Sequence, residues 1–141
     1  MFYLFVDTHG THRSTAAAHA LKHKYALQGK HPKIGHLGIH GLVSLLDIEK
    51  MEAAHMAGTH GRPYQMELDI NFQRYVDRVG TIHTTILGAD QIFTMEHRME
   101  AQIRHATGYA GEIVCLEVPE RNSMGQGELE ELFAEKLRCL D

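Results

Sequence analysis

Eight consecutive residues, Asp7-Thr8-His9-Gly10-Thr11-His12-Arg13-Ser14, bring one carboxylate, two imidazoles, three hydroxyls and a guanidinium around a single glycine. The apolar run Phe2-Tyr3-Leu4-Phe5-Val6 precedes them, and the alanine-rich stretch from Thr15 follows. A strand, a tight loop and a helix N-terminus are the parts of an anion-binding cradle. The loop's N–H groups converge on one point, and the helix dipole adds partial positive charge there. Arg13 supplies a planar fork that fits phosphate oxygens two at a time. The chemistry expected of Thr8, His9, Gly10, Thr11, His12, Arg13 and Ser14 is therefore oxyanion binding. The plainer alternative is an ordinary strand-to-helix turn with a surface arginine.

Asp7 opens the loop and has three readings. As a nucleophile it would form an acyl-phosphate, which needs a divalent cation to offset charge. As a metal ligand it would join His9 and His12 in a His/carboxylate set suited to zinc, manganese or iron. As a structural anion it would cap the helix and tie down Arg13. Beyond a divalent metal at Asp7, His9 and His12, no cofactor is called for. His19 and His23 share a helix face at i, i+4, and His36 and His40 have the same spacing in a glycine-rich segment. None fits a His-Glu-x-x-His signature, and twelve histidines make chance pairs expected.

The elements around the loop follow from periodicity. Residues 2–7 read as a buried strand, 14–28 as a helix stopped by Gly29, and 33–37 as a short strand. A helix is expected over 42–56, a turn cluster over 57–63, a strand over 64–70 from its period of two, and a helix over 72–79 ended by Gly80. A strand with its approach over 89–95, a helix over 96–106 and a strand over 112–118 come next. A loop over 119–127 and an amphipathic helix over 128–140 complete the chain. Alternating strands and helices imply one α/β domain over 1–141, a small parallel sheet of about four strands flanked by helices. Ligands of such sheets sit beyond the carboxyl ends of the strands, where residues 8–13 fall.

Size and charge narrow the classes. The chain has 141 residues, enough for one sizeable core, with 43% apolar and 23% charged residues. A net charge of −4 without a basic stripe argues against a nucleic-acid binder. No segment reads as a leader or a membrane span, so a cytoplasmic protein with no membrane partner is expected. Cys115 and Cys139 read as reduced, structural thiols. Met51, Met56, Met66, Met95 and Met99 read as core fillers, and His97 and Arg98 as solvated.

The order of these parts resembles the low-molecular-weight protein phosphatases, which include tyrosine and arginine phosphatases. Their loop is a cysteine, five residues, then Arg-Ser, between the first strand and the first helix. Asp7 through Arg13-Ser14 keeps that spacing. Ala89-Asp90-Gln91-Ile92-Phe93-Thr94-Met95-Glu96-His97-Arg98 looks like a second family segment, a strand and the helix after it. Val118-Pro119-Glu120 falls where the family places an aspartate as general acid. The resemblance covers residues 1–28 and 89–141, and the segment 30–88 matches poorly. Gly10-Thr11-His12-Arg13-Ser14 also resembles, more faintly, the Gly-Thr-His-Ser-Ser loop of a family without assigned activity.

The resemblance implies a phosphatase-like fold, a phosphorylated ligand, and catalytic positions at Asp7, Arg13 and Glu120. Asp7, however, stands where the family has its nucleophilic cysteine, and a fixed carboxylate repels an incoming phosphate dianion or fills the cradle itself. The expected function is an oxyanion-binding, phosphatase-like domain without the thiol, taking phosphate or a phosphorylated small molecule or protein. The alternatives are a metal-dependent phosphate-ester hydrolase built on Asp7, His9, His12 and Glu120, and a structural or interaction protein in which Asp7 pairs with Arg13.

Overall fold

A computed structural model describes residues 1–59, 65–119 and 124–138. Strand β1 (Phe2–Asp7) leads through the loop to helix α1 (Arg13–Leu27) and strand β2 (Lys33–Gly38). A 3₁₀ turn over Ile39–Gly41 precedes α2 (Leu45–Thr59) and α3 (Gln65–Leu87). Then come β3 (Gln91–Thr94), α4 (His97–Thr107), β4 (Glu112–Cys115) and α5 (Gln126–Lys136). The four strands lie in the order β2-β1-β3-β4, all parallel.

β1 is central, and Leu4, Phe5 and Val6 are completely buried. That is why its sequence is an unbroken apolar run rather than an alternation. The chain steps from β1 to β2 on one side and from β2 to β3 across to the other. Right-handed crossovers therefore put α1 on one face of the sheet and α2–α4 on the opposite face. α5 packs on α1. Phe5 stacks on Phe93 of β3 at 4.9 Å, and Tyr3 stacks on Tyr25 of α1 at 5.8 Å. All four carboxyl ends point to one edge, where loop 8–12, the 3₁₀ turn and the segment after β4 meet.

The expected fold holds, with three corrections in the middle of the chain. The strand expected over 64–70 is instead the first part of α3, Tyr64 itself lying outside the described residues. Met66, Leu68 and Ile70, which gave the period of two, remain 78%, 39% and 47% exposed, so no sheet face claims them. Their neighbours Gln65, Glu67 and Gln73 are good helix formers, and Gln73 bonds Asp77 one turn on. Gly80 does not end the helix, which runs on to Leu87. Nothing among the described residues lies within 4 Å of where its Cβ would be, so Gly80→Ala is expected to stabilise the protein by about 0.5–1 kcal/mol, read by chemical denaturation. Ala57–Thr59 of the expected turn cluster belong to α2, and 60–63 lie outside the described residues. Only Met95 and Met99 among the five methionines are core residues; Met56 and Met66 are among the most exposed apolar side chains.

Candidate functional site

The loop is built tight against the sheet. Gly10 takes φ +78°, the left-handed conformation glycine adopts without cost. It faces Gly38 at the end of β2 so closely that neither position has room for a Cβ: on Gly38 it would lie 2.6 Å from the His9 carbonyl oxygen, and on Gly10 2.8 Å from the Leu37 carbonyl carbon. His40 N–H donates to the Thr8 carbonyl at 2.9 Å, and His36 Nδ1 donates to the Gly10 carbonyl at 2.9 Å. Two backbones thus lie in contact and are laced together at the carboxyl edge.

Asp7 is 2% exposed, and its carboxylate turns into the loop. One oxygen accepts the Gly10 N–H and the other accepts the Ser14 N–H at 2.9 Å. The carboxylate bridges the loop and the first turn of α1, where unsatisfied N–H groups and the dipole favour an anion. The cap that His12 fails to supply from its own side chain is supplied by Asp7 from the preceding strand.

Arg13 is equally buried and does not pair with Asp7. Its Nη1 donates to Glu96 Oε1 at 3.0 Å and to the Val118 carbonyl at 2.7 Å, and its Nη2 donates to Thr8 Oγ1 at 3.1 Å. The expected Asp7–Arg13 tie is therefore corrected. Both Asp7 oxygens are taken by N–H groups, and the longer arginine reaches past them to the ends of β3 and β4. Arg98, donating to Glu96 Oε2 at 2.6 Å, holds the Glu96 carboxyl below its ordinary range; Arg13 adds to this while partial burial opposes it.

Asp7, His9 and His12 are not brought together as ligands. Among the described residues no three His, Cys, Asp or Glu side chains gather as a metal ion needs. His12 Nδ1 accepts the Gln126 side-chain N–H at 2.8 Å. The His9 ring lies 5.5 Å from that of His40. His19 bonds Glu130 instead of acting with His23. Thr11 is exposed, and Ser14 is buried with its Oγ unpartnered among the described residues. Glu120 and Cys139 lie outside the described residues, and Cys115 is a half-buried free thiol. His97 and Arg98 are exposed, as expected.

Sequence reading missed Glu96, Gly38 and Gln126. Glu96 and Gly38 had a signal: each falls at the carboxyl end of a strand neighbouring β1, where whatever they carry must face the loop. A cavity of about 390 Å³ lies between the start of α2 and α4, lined by Leu42, Asp47, Met51 and His105 among others, with no residue of loop 8–13 in its wall. No described helix is long and apolar enough to cross a membrane.

The strand order, the loop after the central strand and the Arg-Ser at the start of α1 define the fold of the low-molecular-weight protein phosphatases. The arginine phosphatase YwlE, in a mutant with a phosphorylated active-site serine, matches with a TM-score of 0.56 over 99% of this chain and 97% of its own, at 17% identity. A mutant of YwlE from Bacillus subtilis gives 0.56 at 17% identity, over 98% and 94% of the two chains. A low-molecular-weight protein tyrosine phosphatase from Bacillus subtilis gives 0.52 at 16% identity, over 98% and 97%. No protein-family model and no curated protein matches the sequence. The likeness is one of fold.

Proposed function

We propose that this chain is a phosphatase-fold domain that binds phosphate or a phosphorylated molecule without hydrolysing it, in competition with its own Asp7 carboxylate. The observation that carries this reading is that both Asp7 oxygens accept N–H groups of the cradle, from Gly10 and Ser14. The carboxylate stands in for two oxygens of a tetrahedral oxyanion, so a phosphate must displace it. A carboxylate so held is a poor nucleophile. Each of its oxygens already accepts a backbone donor, and among the described residues no three His, Cys, Asp or Glu side chains gather where a cation would be held beside it.

Arg13 supports the same reading. In a cradle open for turnover its fork would be free for the ligand; here each terminal nitrogen is already donating within the protein. The ligand therefore meets backbone N–H groups and the helix dipole before it meets a free guanidinium.

Restoring a thiol tests this. The wild-type protein is expected to release no phosphate from an aryl phosphate. Asp7→Cys, which removes the competing charge and supplies a nucleophile, is expected to release it slowly but measurably. Turnover by the wild-type protein that disappears in Asp7→Ala would contradict the proposal and assign Asp7 a catalytic part.

A further inference from the structure

Helix α3 carries an apolar stripe that its own chain leaves uncovered. Among the described residues, eight of the ten exposed large apolar side chains lie on α2 and α3. No residue of α3 from Gln65 to Arg78 is buried. Helices in folded proteins draw most of their stability from a buried face, and about four turns without one call for cover from outside the chain. Met66, Ile70, Gln73 and Asp77 are spaced four, three and four apart, as along a coiled-coil seam. Their stripe lies on the side of the helix opposite Val79 and Ile86, which face the core. α2 meets α3 on other sides, with His55 stacked on Phe72 at 4.3 Å and bonded to Asp69, and Met51 against the Tyr75 hydroxyl.

The charges beside the stripe identify its cover. Of the six described arginines, Arg13, Arg98, Arg104 and Arg138 are ion-paired with carboxylates. Arg74 and Arg78, both on α3 and exposed, have no carboxylate partner among the described residues, and exposed Glu67 has no cation. All three lie on one flank of the stripe, Glu67 nearer the start of the helix and the arginines beyond it. Seven and eleven residues apart, roughly 10 and 16 Å along the axis, they are out of reach of one another.

An antiparallel copy of the same helix brings them together. With a two-fold axis level with Asn71 and Phe72, Ile70 of each copy meets Gln73 of the other. Glu67 then falls between the second copy's Arg74 and Arg78, within about 3 Å of each along the axis. The two-fold repeats this contact on the same flank, as an isologous interface requires. Asp77, bonded to Gln73, comes at the ends of the contact, where its carboxylate stays in water. A parallel pairing would instead set Glu67 against Glu67 and Arg74 against Arg74. We infer that the first half of α3 is a homodimer interface, in which Met66, Ile70 and Gln73 of two copies pack antiparallel and Glu67 pairs across the two-fold axis with Arg74 and Arg78. The interface stands whether or not the loop binds phosphate, since no residue of 7–14 takes part in it.

The test is sedimentation equilibrium of the full chain across a concentration series at low and high salt. A dimer is expected, weaker at high salt because the flanking charges are exposed. Ile70→Glu should raise its dissociation constant about tenfold or more. Leu27→Glu, a change at an exposed leucine of α1, should leave it unchanged. Glu67→Arg should weaken the dimer, and adding Arg74→Glu to it should recover part of the loss. Melting curves establish that each variant is folded. A chain that stays monomeric up to about millimolar concentration would overturn the interface and leave the stripe to a different protein. A dimer that Ile70→Glu does not weaken would overturn it equally. A double variant no tighter than Glu67→Arg alone would overturn the antiparallel register.

Discussion

Replacing Arg13 by alanine is expected to cost about 2–4 kcal/mol of folding stability, far more than a surface arginine costs. The side chain is 3% exposed and joins three segments separate in sequence: the loop through Thr8, the turn after β3 through Glu96, and the segment after β4 through the Val118 carbonyl. Its loss strands a buried carbonyl acceptor and leaves a cavity the size of a guanidinium. The figure stays below that for a fully buried ion pair because the Glu96 side chain is 28% exposed and keeps Arg98. Arg13→Lys should recover less than half of the loss, since one ammonium cannot replace a fork whose two nitrogens reach different segments. Urea denaturation of the three proteins measures both differences. An Arg13→Ala protein as stable as wild type would mean that the arginine is free in solution and available as a ligand group.

Gly38→Ala is expected to cost about 2–4 kcal/mol as well, by a different route. Its Cβ would meet backbone, 2.6 Å from the His9 oxygen and 2.8 Å from the Gly10 nitrogen, and backbone cannot rotate away as a side chain can. Relief requires the loop to lift from β2, which breaks the His40–Thr8 bond and displaces the Gly10 N–H that Asp7 accepts. Gly58→Ala serves as the control because nothing among the described residues lies within 4 Å of where its Cβ would be. Comparable melting points for Gly38→Ala and Gly58→Ala would contradict the close approach.

The fold was legible where local signals and tertiary demands agree. The apolar run before Asp7, the alanines of α1 and the alternation of strand and helix around Gln91–Cys115 all led to the observed elements. Residues 65–70 misled because Met66, Leu68 and Ile70 alternate without being buried, and a period carries meaning only where a core faces it. Gly80 misled because an exposed helix interior tolerates a glycine at a cost of about 1 kcal/mol, which a helix of this length absorbs.

At the site, the loop's place and the possibility that a carboxylate fills the cradle were readable from Asp7, Gly10 and the helix that follows. The partners were not. Glu96 and Val118 reach Arg13 across 83 and 105 residues, and which neighbour an arginine chooses is decided by packing that no local pattern records. The pairing of Gly10 with Gly38 is likewise a contact between two chain segments. The His9–His12 pairing failed for a related reason: proximity in sequence says little about side-chain direction in a loop with a left-handed residue between them.

The central claim is that the Asp7 carboxylate is the loop's own anion, and melting in phosphate tests it most directly. A ligand that binds only the folded state stabilises it by RT ln(1 + [L]/Kd), about 2.7 kcal/mol at a hundred times Kd. Without phosphate, Asp7→Ala should melt below wild type, because the Gly10 and Ser14 N–H groups lose their acceptor. Adding inorganic phosphate should raise the variant's melting point steeply and move the wild type little, so that the gap closes. Equal responses in the two proteins, or no response in Asp7→Ala, would contradict the account.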